Sequence, residues 1–79
     1  MQIFTFRVEF EKEEDGRYSA YVPALPGCHS WGATLEEARA NMAEALRSHV
    51  ASLLDHGDSV PVDGSAPPVV HEETFTVAV

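Results

Sequence analysis

The chain has 79 residues, 44% of them hydrophobic, and a formal net charge of −8 from 13 acidic and five basic side chains. That length allows one domain with a small core, burying only about 60% of its unfolded surface, and association with further chains is a common remedy at this size. The apolar content excludes full disorder, and the acidity disfavours direct nucleic-acid binding while suiting a basic protein partner or simple solubility.

The single cysteine, Cys28, excludes an intramolecular disulfide. The start Met1-Gln2-Ile3-Phe4 is a strand pattern without a cationic leader, and no apolar run reaches the length of a membrane span, so a cytoplasmic protein is expected.

Residues 3–11 alternate: Phe4, Phe6, Val8 and Phe10 fall on one face, and Ile3, Thr5, Arg7, Glu9 and Glu11 on the other. Period two with three phenylalanine rings on one side reads as a half-buried strand. Asp15-Gly16 then reads as a two-residue hairpin turn of type I′, since glycine accepts the positive φ such a turn needs. Residues 17–22 form the partner strand, with Tyr18, Ala20 and Val22 on one face and Ser19 and Tyr21 on the other. Pro23 and Pro26-Gly27 bracket Leu25 and stop any helix or central strand there. Residues 28–32 read as a short third strand, and an antiparallel meander is the simplest connection.

Thr34 and Glu37 have the spacing of a capping box, in which the hydroxyl accepts an orphan helix N–H and the carboxylate reaches back to the cap. From there Leu35, Ala38, Met42, Ala45, Leu46, His49, Val50, Leu53 and Leu54 recur at three- and four-residue spacing as one apolar stripe. Glu36 and Glu37 lie in the first turn, and Gly57 is the stop. The spacing predicts a helix of about 21 residues and about 32 Å. Residues 58–71, rich in Pro, Gly, Ser and Asp, read as a linker. Glu73, Phe75, Val77 and Val79 then alternate with Thr74, Thr76 and Ala78 as a terminal strand over 72–79, which must join a sheet edge of its own or of another subunit. The expected organisation is one domain over 1–79: a core over 2–57, the linker, and the terminal strand. Its fold class is two-layer α+β, with a three-stranded antiparallel sheet, one long helix packed on it and a fourth strand.

The pattern Asp15-Gly16-x-Tyr18, Pro23-x-Leu25-Pro26-Gly27, Gly32-x-Thr34-x-Glu36-Glu37-Ala38 resembles the HicB-like antitoxin domain in order and spacing. The resemblance runs from the first strand to about Pro61. It implies a fold similar to a reduced ribonuclease H fold. It also implies an antitoxin that binds and masks a small basic, RNA-cleaving toxin of the HicA type, with no catalysis and no cofactor of its own. Many family members carry a further C-terminal DNA-binding domain; this chain ends in a strand at Val79 with an acidic approach, so no operator binding by it alone is expected. A different class of function is an orphan, self-associating interaction module, and a third is a residual metal-dependent nuclease.

Each candidate site has a plain structural alternative. Glu9, Glu11, Glu13, Glu14 and Asp15 bunch on one strand and its turn, whereas a two-metal nuclease needs carboxylates converging from separate elements. Glu11, Glu13, Glu14 and Asp15 read instead as steering or contact residues for a basic partner, an inference from charge alone. Cys28, His29, His49, His56 and His71 match no zinc spacing, and neighbours on a strand point to opposite faces. Cys28 reads as a core residue, and His49 and His56 as covering the stripe near the negative end of the helix. Ile3, Tyr21 and Trp31, with Phe75 and Val77 of the terminal strand, are candidates for an oligomer surface, in a homodimer or a dimer of dimers. The alternative for Trp31 is a place under the Pro23-to-Gly27 corner.

Overall fold

A computed structural model describes residues 2–61 and 72–79. Its elements are β1 (Ile3–Lys12), β2 (Tyr18–Tyr21), β3 (His29–Gly32), α1 (Leu35–Asp55) and β4 (Glu72–Ala78). The strands form one antiparallel sheet in the order β3-β2-β1-β4, so the terminal strand joins the sheet of its own chain, beside β1. Residues 62–71 of the expected linker lie outside the described residues.

One helix covers one face of this sheet. Phe6, Val8 and Phe10 of β1 turn towards it, with Ala20, Val22, Leu25, Cys28 and Val77 from around them. Ala38, Met42, Leu46 and Val50 answer from α1, the fully buried line of the apolar stripe. Burial of a side chain the size of Phe6, Met42 or Leu46 stabilises by about 1.5–3 kcal/mol, so this single interface carries the fold.

The first turn differs from the sequence expectation. A type I′ turn needs positive φ at both central residues, yet Gly16 (φ +92°) has it and Asp15 does not. The Gly16 N–H donates to the Glu13 carbonyl at 3.0 Å, and the Glu13 N–H to the Arg17 carbonyl at 2.7 Å. This is a turn over Glu13-Glu14-Asp15-Gly16 with a glycine bulge, one residue longer than a two-residue loop. The extra residue fixes the register. Phe10 lies opposite Ala20, and Glu9 opposite Tyr21, whereas a two-residue loop would have set Phe10 against Tyr21.

The proline corner is two linked turns. The Leu25 N–H donates to the Val22 carbonyl and the Cys28 N–H to the Leu25 carbonyl, each at 3.0 Å, while Val22 N–H to Cys28 carbonyl closes the loop at 3.1 Å. Pro26 followed by Gly27 at φ +89° suits a type II turn. Leu25, between the turns, is 1% exposed and pins the corner to the core.

Helix α1 starts as expected at Thr34, whose hydroxyl accepts the Glu37 N–H at 3.1 Å. The Glu37 carboxylate accepts the N–H of Ala33 at 3.1 Å, one residue before the cap. At the other end the Gly57 N–H reaches the Leu54 carbonyl (3.1 Å) and the Asp58 N–H the Leu53 carbonyl (2.9 Å), a Schellman motif made possible by Gly57 at φ +73°. Two side chains tie the helix to the outer strands. Asn41 Nδ2 donates to the Trp31 carbonyl at 2.7 Å, and Arg39 Nε donates to both Glu73 oxygens at 2.8 and 2.7 Å.

Gly32 sits where β3 meets the start of the helix. A Cβ there would overlap the Ala38 backbone nitrogen and lie 2.7 Å from the Glu37 carbonyl carbon, against backbone that cannot swing aside. Gly32→Ala is therefore expected to destabilise the domain by about 1–3 kcal/mol, the usual cost of overpacking. Denaturant unfolding measures it, and stability equal to the parent would contradict the close approach.

Candidate protein-binding surface

The face of the sheet away from α1 has no covering layer among the described residues. Ile3, Tyr21 and Trp31 stand on it, 67%, 42% and 49% exposed. Trp31 does not tuck under the proline corner; its ring meets His29 edge-on, with centroids 4.9 Å apart. Phe75 and Val77 separate from this group. In register they face Phe6 and Phe4, so they belong to the helix side, where Val77 is buried and Phe75 half-buried.

Glu9 lies on the uncovered face and is nevertheless 5% exposed. Its carboxylate accepts the Tyr21 hydroxyl on one oxygen, and Arg7 Nη2 lies 3.4 Å from the other. The sequence pattern puts Glu9 with the other acids of a solvated edge on the first strand and its turn, and carries no sign of its burial in this cluster. Alternation already put Arg7, Glu9 and Tyr21 on one side, but the register that joins Glu9 to Tyr21 comes from the bulged turn. The acceptor beside it raises the Tyr21 pKa above its ordinary value, because the hydrogen bond to Glu9 is lost when the phenol ionises.

The acidic residues gather at the hairpin end of the same sheet. Glu11, Glu13, Glu14 and Asp15 line a shallow, open depression with Lys12, Arg17 and Trp31. Glu11, Glu14 and Asp15 are exposed and Glu13 is half-buried. Asp15 is already engaged: Oδ1 accepts the Arg17 N–H at 3.0 Å and Oδ2 accepts Arg17 Nε at 2.8 Å. These bonds, the backbone one foremost, hold its carboxyl below the usual aspartate value. Their contribution is full above that ordinary value and is lost as pH falls through the lowered one. Asp15 thus braces the turn, and Glu11 and Glu14 are the outward carboxylates.

Among the described residues no group of three or more His, Cys, Asp or Glu is placed to hold a metal ion. His71, one of the weighed ligands, lies outside them. Cys28 is buried, and burial pushes its thiol pKa up, the reverse of what a nucleophile needs. His56 Nδ1 lies 2.7 Å from the Ser52 carbonyl and serves the helix end. No helix among the described residues is long and apolar enough to cross a membrane.

The fold is a one-sided α+β domain with exposed Ile3, Tyr21 and Trp31 on its open face and an acidic hairpin at one end. The chain belongs to the HicB-like antitoxin family of bacterial toxin–antitoxin systems, whose model matches residues 6–79. It is 42% identical over 66 residues to a UPF0150 protein of Thermoplasma acidophilum, covering 84% of this chain and 96% of that one. A UPF0150 protein of Synechocystis sp. is 47% identical over 60 residues, 76% of each chain. Among solved structures, the N-terminal domain of the Burkholderia pseudomallei antitoxin HicB superposes with a TM-score of 0.73 at 30% identity, covering 96% of this chain and 98% of that one. The chain spans 62% of the longer B. pseudomallei HicB structure. A chain of the HicA3–HicB3 toxin–antitoxin complex shares the fold, with a TM-score of 0.56 at 22% identity.

The Glu9–Tyr21 contact is open to a direct check. Tyr21 is expected to ionise above the ordinary tyrosine value of 10.0 and to move down in Glu9→Gln. The pair's stabilisation is full below that ordinary value and fades as pH rises through the raised one. Ultraviolet titration of the phenolate, with Tyr21→Phe to assign the signal, reads both; a Tyr21 titration indifferent to Glu9→Gln would refute the contact.

Proposed function

We propose that this chain is an antitoxin that works by binding. It pairs with a small, basic, RNA-cleaving protein of the HicA type in the cytoplasm and covers that protein's catalytic surface, without catalysis of its own. The family match over residues 6–79 carries this reading. The likeness to the N-terminal domain of a HicB antitoxin supports it.

The acidic hairpin gives the reading a physical route. Glu11 and Glu14 stand exposed beside Trp31, so a basic side chain arriving there meets carboxylates and an aromatic face together. A chain of net charge −8 also draws a cationic partner from a distance and raises its encounter rate. The same charge repels nucleic acid, so the toxin and not its RNA is the ligand.

Where a small basic protein is encoded beside this chain, its induction is expected to arrest growth and cleave RNA, and co-expression of this chain to relieve both with a co-purifying complex. Toxicity that this chain leaves untouched would overturn the reading in favour of a self-associating module. In the complex, Glu11→Lys with Glu14→Lys is expected to slow association by about tenfold at low salt, with the difference shrinking as salt screens the charges. Stopped-flow rates identical to the parent at low salt would place the contact elsewhere.

A further inference from the structure

Four aspartates occur in the chain, and two of them, Asp15 and Asp63, precede glycine. Asp63 lies outside the described residues. Asp-Gly is open to an intramolecular reaction because glycine sets no side chain beside its nitrogen. The Gly16 nitrogen attacks Cγ of Asp15 in its carboxylic acid form. The N–H proton and the carboxyl hydroxyl leave as one water, and a five-membered succinimide forms. Water then opens the ring. Opening at the side-chain carbonyl returns aspartate, and opening at the backbone carbonyl leaves isoaspartate, whose main chain runs through the former side chain. Mass is unchanged, and water is the sole co-reactant.

In the folded hairpin both reacting groups are engaged. The Gly16 N–H donates to the Glu13 carbonyl at 3.0 Å. The Asp15 carboxylate accepts the Arg17 N–H at 3.0 Å on Oδ1 and Arg17 Nε at 2.8 Å on Oδ2. Attack needs the nitrogen and Cγ aligned at close range, so these three bonds have to open first. The backbone bond from Arg17, ahead of the guanidinium, also keeps Asp15 ionised and short of the acid form that loses water. Both side chains stand in solvent, Arg17 60% and Asp15 54% exposed, so the clamp opens without unpacking the core.

We propose that Asp15-Gly16 is a site of spontaneous isoaspartate formation, and that Arg17 holds it shut while the turn is clamped. Escape has a structural consequence. The turn over Glu13-Glu14-Asp15-Gly16 sets Phe10 opposite Ala20. Isoaspartate adds one backbone atom to that turn and shifts the carboxylate onto the main-chain branch, so the clamp cannot re-form as before and the hairpin loosens. The inference concerns the free chain and stands independently of the antitoxin reading.

Ageing of the folded chain at neutral pH, with isoaspartate located by site-resolved mass spectrometry, tests this. At Asp15 it is expected to build up about tenfold or more slowly than in the same chain held unfolded in guanidinium. Arg17→Ala is expected to keep the fold and to speed the folded-state reaction about threefold, as loss of an exposed ion pair allows. Val50→Ala weakens the core at the far end of α1 and is expected to leave Asp15 at the parent rate. Asp63-Gly64, followed by Ser65 and not by arginine, is expected to react equally in the parent and Arg17→Ala. Should Arg17→Ala fail to fold, Arg17→Lys reads the same clamp, since it keeps the charge and the backbone N–H and lacks Nε; a smaller acceleration is expected. Parent and Arg17 variants reacting at one rate would overturn the proposal. So would equal acceleration by Val50→Ala, or no isoaspartate at Asp15 even in the unfolded chain.

Discussion

One helix has to serve four strands, and the architecture follows from that shortage. The line Ala38, Met42, Leu46 and Val50 covers Phe6, Val8 and Phe10, and no second element is described over the other face. A small domain in this position must keep its uncovered side in water without losing the sheet. It does so with Thr5 and Thr76 in contact across β1 and β4, and with Arg7, Glu9 and Tyr21 gathered into one polar cluster. Ile3, Tyr21 and Trp31 are the apolar surface that remains exposed.

The bulged turn decides which residues stand on that side. A one-residue change in an antiparallel register exchanges the two faces of a strand. Gly16, by taking the positive φ alone, sets Phe10 against Ala20, and the small alanine makes room for the phenylalanine under the helix. Tyr21 and Trp31 are thereby sent to the open face. The Asp15 carboxylate braces the same turn through Arg17, so part of the acidic hairpin is structural and part is offered outward.

Much of this was legible in the sequence. The alternation of β1, the stripe of α1, the Thr34 cap and the Gly57 stop are local patterns, each set by residues close in the chain, and the structure has them where expected. What eluded sequence reasoning depends on partners distant in the chain or on a single dihedral. Asp-Gly suits two turn types, and only the φ of Asp15 separates them. Phe75 and Val77 alternate clearly, but which face they join follows from pairing with Phe6 and Phe4 some seventy positions away. The Arg39–Glu73 pair and the burial of Glu9 have no sequence signal beyond residue type. The acidic set was visible as a cluster, and the difference between braced Asp15 and outward Glu11 and Glu14 was not.

We propose that the uncovered side and its acidic hairpin meet the partner, while the helix side holds the fold. A hydrogen-exchange and cross-linking footprint of the complex with the basic toxin tests it most directly. Protection confined to residues 11–17 and the Trp31 region, with α1 unchanged on its outer face, is the expected result. Protection along the exposed side of α1, with the hairpin exchanging as in the free chain, would contradict it.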